Sequence, residues 1–165
     1  GVGGGIVMNK SIMHGKNSMG EIGHMIVDMK DGRPCPCGQS GCWEQYASVT
    51  ALVNDAIEAA NDNPESVLNK IYAREGKLNG CLVFEAIDSG CPIAEKVLDT
   101  YLDYIAVGVK SLVNIFGPDA VVFAGGITNS GDKFLDLLKA KLPSDLRVEI
   151  SALQNDAGAF GAAML

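Results

Sequence analysis

The strongest constraint on this chain is a cluster of three cysteines within eight residues, Cys35-Pro36-Cys37-Gly38-Gln39-Ser40-Gly41-Cys42. The segment from Lys30 to Gly41 is rich in Gly, Pro and Cys and has no large apolar side chains with which to build a core. Ordering such a loop costs roughly 1–2 kcal/mol of backbone entropy per residue. Something other than hydrophobic packing must therefore hold it. Thiols on a glycine-bearing loop can converge on one ion, because glycine lets the backbone curl tightly.

A structural zinc ion usually takes four ligands drawn from Cys and His. The chain has two histidines: His24, which precedes Cys35 by eleven residues in an apolar context, and His14, which lies in a polar turn. We predict a Cys₃His zinc site formed by His24, Cys35, Cys37 and Cys42. Zinc contributes about 10–16 kcal/mol to the folding of small zinc-finger peptides, which is ample to order a loop. The alternative interpretation is that these cysteines are unligated small hydrophobic residues.

The chain contains five cysteines, an odd number, and their clustering is unlike a disulfide framework. A reducing cytoplasm and a metal site fit this pattern better, so we expect a cytoplasmic protein. Cys81 and Cys91 each stand alone in a segment with helical periodicity. We expect both to be buried structural thiols.

Net charge and hydropathy argue against two classes of partner, nucleic acids and membranes. The formal net charge of −7 argues against direct nucleic-acid binding by this segment, which lacks the necessary basic surface. No apolar run approaches the roughly 20 residues that a membrane-spanning helix needs, so no membrane partner is expected. The opening residues are unlike a signal peptide. Because the chain starts at Gly1 rather than Met, we expect a fragment or a trimmed protein.

The first half of the chain predicts a hairpin followed by helices. Ile6-Val7-Met8 and Ile12-Met13 flank a turn at Asn9-Lys10-Ser11, and the pattern from Gly20 to Met29 stays unassigned. Periodicity then predicts three helices, with Ser48 as an N-cap of the first and Gly76 as the stop of the second. Their predicted ranges are 46–60, 65–74 and 82–88.

The second half predicts alternating helices and strands. The longest helix begins at Pro92 and ends at Gly117-Pro118, with one apolar face from Ile93 to Phe116. The continuous apolar run 120–124 predicts a strand buried on both faces. A helix over 132–141, a half-buried strand over 147–153 and a closing small-residue helix over 157–165 follow. The whole pattern predicts a single α/β domain.

The motif residues resemble a known family. Glu21-Ile22-Gly23-His24 and the run from Cys35 to Ser48 fit E-x-G-H followed by C-x-C-G-x-x-G-C-x-E-x-x-x-S, which is similar to the signature of the ROK family (repressors, open reading frames, kinases). The start G-V-G-G-G-I-V, the run Ala124-Gly125-Gly126-Ile127 and the closing G-A-A also resemble family segments. One departure lies between Gly15 and Gly20, where the chain is one residue shorter than the usual spacing.

The resemblance implies a two-lobed sugar kinase of the actin-like ATPase fold, or a sugar-responsive repressor built on it. It implies that Glu21, His24 and Glu44 contact sugar hydroxyls, with His24 shared between sugar and zinc. It also implies that Gly3, Gly4, Gly125 and Gly126 face the nucleotide. The alternative for Glu21 and Glu44 is a solvated loop carboxylate or a partner of the metal ligands, and for Gly125-Gly126 a plain tight turn.

The family's kinases also need an N-terminal D-x-G-G-T phosphate loop and an Asp general base. Neither is found here; the nearest match, Asp156-Ala157-Gly158-Ala159, lacks the paired glycines. We therefore expect residues 1–165 to form the C-terminal lobe of a kinase whose N-terminal lobe is absent from this chain. The intact protein would transfer phosphoryl groups from MgATP to a hexose or amino sugar, with glucose favoured over N-acetylmannosamine or fructose.

Two other interpretations stay open. A repressor would carry DNA-binding helices upstream, so nucleic acid is a partner only in that case. A stand-alone zinc-binding module would leave Glu21 and Glu44 without a role. The resemblance further suggests a homodimer, which the Tyr101–Phe116 face could serve, although a core helix explains that face equally well.

Overall fold

The computed structural model describes residues 1–16 and 19–163, apart from the side chains of Asn129 and Gln154. Its strands are β1 (Val7–Met8), β2 (Ser11–Ile12), β3 (Val121–Phe123) and β4 (Val148–Ile150). Its α-helices are α1 (Glu44–Ala47), α2 (Val49–Asp62), α3 (Val67–Glu75), α4 (Gly80–Asp88), α5 (Pro92–Phe116), α6 (Gly131–Lys139) and α7 (Ala157–Ala163). Short 3₁₀ turns span Ile22–His24, Gly126–Ser130 and Gln154–Asp156. The predicted α/β class is confirmed.

Side-chain caps set the starts of the central helices. Ser48, Ser66 and Asn79 each accept a hydrogen bond from a backbone N–H in the first turn of α2, α3 and α4. Such a cap satisfies a donor that the helix cannot pair internally. Ser48 confirms the predicted N-cap, and it also splits the predicted helix over 46–60 into α1 and α2. Gly76 ends α3 in the left-handed conformation, with φ of 67°.

Helix α5 is the axis of the hydrophobic core. It begins with Pro92 at its first turn and ends at Gly117, as predicted. Tyr101, Ile105 and Val109 of its apolar face are buried, and α5 packs against α1, α2, α4 and α6. The core therefore lies between helices, with most of its fully buried large side chains on the helices: Leu52, Leu68, Val83, Leu102, Val109, Phe134 and Leu138.

Strands β3 and β4 pair in parallel, with Val121 opposite Val148 and Phe123 opposite Ile150. Parallel neighbours need a crossover, and α6 supplies it. The prediction that the first of these strands is buried on both faces is wrong: the side chain of Val122 is 58% exposed. Only one face of this two-stranded sheet is covered by helices.

The predicted hairpin is confirmed as the antiparallel pair β1 and β2. Asn9 and Lys10 both have positive φ, 52° and 64°, as a two-residue type I′ turn requires. Val7, Met8 and Ile12 are all exposed, so neither face of the hairpin is buried.

Several boundaries and one burial prediction need correction. Cys91 is buried, but Cys81 is exposed near the start of α4, because it lies outside the buried face that Val83, Phe84 and Ala86 form. Helix α3 begins two residues later than predicted, since Ser66 caps it. The end of the predicted closing helix at Leu165, and the shortened spacing around Asn17 and Ser18, lie outside the described residues.

Among the described helices, none is both long and apolar enough to cross a membrane.

One close contact fixes how α1 sits on α5. A Cβ atom at Gly108 would lie 2.1 Å from the Trp43 ring. We expect Gly108→Ala to lower the free energy of unfolding by about 1–3 kcal/mol, because the indole must move. Gly161→Ala is the control, since a Cβ there meets open space in α7. Thermal melts of the two variants check this; an equal effect of both substitutions would show that the indole contact is unimportant.

Candidate metal centre and adjoining cavities

The structure brings together the four predicted zinc ligands. One ligand atom from each of His24, Cys35, Cys37 and Cys42 lies within 4.8 Å of all the others. His24 Nδ1 is 3.6 Å from Cys35 Sγ, and Cys37 Sγ is 3.6 Å from Cys42 Sγ. A tetrahedral zinc ion places neighbouring N and S ligand atoms about 3.5–3.8 Å apart. The four side chains fit such an ion in number, type and spacing.

The cysteine loop has a backbone framework of its own. The Cys35 N–H donates to the Gln39 carbonyl at 2.8 Å, and the Gly38 N–H donates back to the Cys35 carbonyl at 3.0 Å. Gly41 has φ of 81°, and a Cβ atom there would lie 1.8 Å from the Asp28 carbonyl oxygen. Only glycine fits this approach. This turn places Cys42 next to Cys37.

A polar clamp fastens the loop to the helices. The Arg33 guanidinium pairs with the Asp55 carboxylate on α2 at 2.8 Å and donates to the Gln45 carbonyl at 3.0 Å. It also lies over the Tyr46 ring, 4.7 Å from its centroid. The Tyr46 hydroxyl donates to Asp28 at 3.0 Å and accepts from the Arg33 N–H at 2.7 Å. The segment that precedes the cysteine loop is thereby held against α1 and α2.

Trp43 positions the start of α1. Its indole N–H donates to the Tyr104 carbonyl of α5 at 2.6 Å, and its ring covers Gly108. The side chain is 4% exposed, so the contact is dry. Because Cys42 and Glu44 flank Trp43, this single anchor sets both a metal ligand and a candidate sugar ligand relative to the core.

The two carboxylates that the resemblance assigns to the sugar, Glu21 and Glu44, both lie near His24. Glu44 Oε1 lies 3.9 Å from His24 Nδ1, and Glu21 Oε2 lies 4.0 Å from His24 Nε2. The hydrogen bond from the Cys35 thiol lowers the pKa of Glu44. Glu44 is therefore an anion at neutral pH. It also borders an open polar groove of about 550 Å³ along α2.

Burial shapes the thiol chemistry. It raises the pKa of Cys42 to about 12, with help from hydrogen bonds to the two neighbouring thiols. The Gln39 backbone N–H lowers the pKa of the exposed Cys37 thiol. A buried thiol with a pKa near 12 stays protonated at neutral pH unless a cation displaces the proton. Metal binding to this cluster therefore releases protons and weakens as the pH falls.

The four predicted nucleotide glycines share one cavity. Gly3, Gly4, Gly125 and Gly126 all line a cavity of about 520 Å³ between the glycine-rich start, α5 and β3. Gly125 has φ of 99°, and a Cβ atom on Gly3, Gly125 or Gly126 would meet open space. Gly23 links this cavity to the metal ligands, because its missing side chain leaves room for the Val2 carbonyl.

Comparison with known proteins settles the family. The model of the ROK family matches residues 1–165. The chain belongs to the ROK family.

The ROK relatives include both kinases and repressors. The glucokinase of Halalkalibacterium halodurans is 37% identical and aligns with 100% of this chain and 53% of its own length. The xylose repressor of Bacillus subtilis is 27% identical over 87% of this chain and 34% of its own length. The structure of a ROK family glucokinase from Streptomyces griseus, in complex with glucose and AMPPNP, superposes with a TM-score of 0.87 at 30% identity, covering 98% of this chain and 56% of that one.

This chain thus spans about half the length of the ROK glucokinases it matches and about a third of the length of the xylose repressor. Its fold is that of the corresponding part of ROK sugar kinases, which have the actin-like ATPase fold. The comparisons therefore support sugar-kinase function for the family to which the chain belongs.

Sequence reasoning missed the polar clamp around this ROK motif. Arg33 and Asp55 are 22 residues apart, and no spacing rule connects them. The available signal was Arg33 itself, a long cationic side chain in a loop that has no large apolar residues. Gln45, which donates to both Glu44 and Cys35, was also missed, because the motif specifies no residue at its position.

The geometry predicts the behaviour of the metal centre. Purified chain is expected to hold close to one zinc per molecule by elemental analysis. Cys37→Ser is expected to lower zinc affinity at least tenfold and to lower the melting temperature, since a hydroxyl is a poor zinc ligand. Cys81→Ser is the matched control, because that thiol is exposed and lies outside the cluster. A well-folded, metal-free wild-type chain would contradict the Cys₃His centre.

Proposed function

We propose that this chain is the C-terminal lobe of an ATP-dependent hexose kinase, with glucose as the favoured substrate. The observation that carries the proposal is the arrangement around His24: one ring nitrogen faces the thiol cluster, and a carboxylate lies near each ring nitrogen. The glucose complex of the Streptomyces griseus relative supports the choice of sugar.

His24 connects the zinc site to the sugar site in this proposal. Its Nδ1 atom faces Cys35, so zinc would bind there and leave the N–H on Nε2, on the side of Glu21. A bound zinc ion fixes the tautomer and the orientation of the imidazole. The Nε2–H then donates to a sugar oxygen, while Glu21 and Glu44 accept from sugar hydroxyls. Two fixed acceptors and one donor select one stereoisomer.

The glycine-lined cavity is the proposed nucleotide site. Backbone N–H groups of Gly3 and Gly4 would face phosphate, and Gly125 and Gly126 would let the nucleotide approach the end of β3. The absence of Cβ atoms on Gly3, Gly125 and Gly126 keeps the cavity open. The AMPPNP complex of the Streptomyces griseus relative supports an ATP-type ligand.

The remaining catalytic parts belong to an N-terminal lobe outside these residues. That lobe would supply the D-x-G-G-T phosphate loop and the Asp that accepts the hydroxyl proton, while Mg²⁺ neutralises the phosphates. This chain holds and orients the sugar. A reducing cytoplasm fits the proposal, because the metal centre requires thiolates. The homodimer rests on the family resemblance alone.

A sugar-sensing repressor is the second candidate. The likeness to the xylose repressor of Bacillus subtilis favours it, since that protein shares most of this chain's length. The region upstream of Gly1 distinguishes the two: a helix-turn-helix indicates a repressor, and a D-x-G-G-T loop indicates a kinase. The net charge of −7 argues against direct DNA binding by this segment itself.

Substitution of the carboxylates tests the sugar site. In the full-length protein, Glu44→Gln is expected to raise the KM for hexose roughly 10- to 100-fold, because a hydrogen bond to a charged acceptor contributes about 1.5–3 kcal/mol. Glu21→Gln is expected to act in the same direction. Glu65→Gln, an exposed carboxylate between α2 and α3, is the control. An unchanged KM in Glu44→Gln would remove that residue from the sugar site.

An assay of the isolated chain tests whether catalysis requires the N-terminal lobe. The 165-residue protein is expected to show no hexose-dependent ADP release in a coupled assay, because it lacks the phosphate loop and the general base. The full-length protein assayed in parallel is the positive control. Turnover by the isolated chain would show that a catalytic base lies within it.

A further inference from the structure

Gln45 bridges the metal cluster and the sugar-binding carboxylate. Its side-chain amide donates to Glu44 Oε1 at 3.3 Å and to Cys35 Sγ at 3.6 Å. The amide nitrogen carries two hydrogens, so one can serve each acceptor. Gln45 is partly buried, and its backbone carbonyl is held separately by Arg33.

The two acceptors lie close together. Glu44 Oε1 is 3.2 Å from Cys35 Sγ and 3.9 Å from His24 Nδ1, and those two ligand atoms are themselves 3.6 Å apart. Glu44 Oε1 therefore lies beside one edge of the ligand tetrahedron. A carboxylate oxygen is also a good zinc ligand. From this position Glu44 could join the metal or replace Cys35.

Metal binding changes the forces on Glu44. Without metal, the Cys35 thiol donates its hydrogen to Glu44 Oε1. A metal-bound cysteine is a thiolate and has no hydrogen to donate. The contact between Cys35 Sγ and Glu44 Oε1 then joins two anions. The two N–H groups of the Gln45 amide, which donate to both atoms, relieve this repulsion.

We propose that Gln45 is a positioning residue that holds Glu44 off the metal and keeps its carboxylate available to the sugar. The inference rests on the proposed function, because it assumes a metal at the Cys₃His cluster. It assigns a role to Gln45, a position at which the motif specifies no residue.

Cobalt spectroscopy of the 165-residue chain tests the proposal. Co²⁺ replaces zinc in thiolate sites, and its visible bands are intense in four-coordinate geometry and weaken when a fifth ligand binds. Gln45→Met keeps the side chain's length and removes both donors. We expect Gln45→Met to weaken the visible bands, because Glu44 Oε1 can then bind the metal as an additional ligand.

A second substitution separates positioning from packing. The double variant Gln45→Met with Glu44→Gln is expected to restore the wild-type cobalt spectrum, because an amide competes poorly for the metal. Gln39→Met, at an exposed position of the same loop, is the matched control and is expected to leave the spectrum unchanged.

Each outcome decides a different point. A wild-type chain without a thiolate cobalt spectrum overturns the metal centre and this inference with it. A normal wild-type spectrum that Gln45→Met leaves unchanged overturns the role of Gln45 alone. A spectrum that Gln45→Met alters and Glu44→Gln does not restore shows that the amide acts by packing, which also overturns the proposal.

Discussion

The convergence of three thiols and one imidazole is the constraint on which the site depends. The loop that carries the thiols has little apolar surface, and its backbone closes through hydrogen bonds and tight glycine turns rather than a core. His24 reaches it from a 3₁₀ turn that follows the β1–β2 hairpin along the chain. A cation at the four ligand atoms would reinforce a junction that backbone hydrogen bonds already make, from the Val27 N–H to the Gly41 carbonyl and from the Trp43 N–H to the Met25 carbonyl.

The second constraint is the anchoring of that cluster to the helical core. Trp43 seats its indole on Gly108 of α5 and donates to the Tyr104 carbonyl, while Arg33 reaches Asp55 on α2. The Trp43 contact is a buried aromatic one, whereas the Arg33–Asp55 contact is an ion pair. Together they fix Glu44 at the start of α1, beside both Cys35 and the polar groove along α2.

The metal cluster and the glycine-lined cavity are linked through the chain's opening residues. Val2 packs against Gly23, next to His24, and the neighbouring glycines border the cavity reached also by Gly125. A ligand in the cavity would therefore contact the same segment that holds His24 in place. The opening residues therefore border both the cavity and the segment that carries His24.

The sequence alone determined the elements whose signals are local. Periodicity located α5, turn chemistry located the β1–β2 hairpin and the Ser48 cap, and the spacing of Cys and His specified the four candidate ligands. Only the tertiary structure decided what depends on contacts between distant residues. The exposure of Val122 and Cys81 depends on which face neighbouring elements cover, and the Arg33–Asp55 clamp and the Gln45 bridge depend on how α1 and α2 approach the loop. Local patterns encode backbone conformation and ligand chemistry, whereas burial and side-chain pairing arise only when the elements pack.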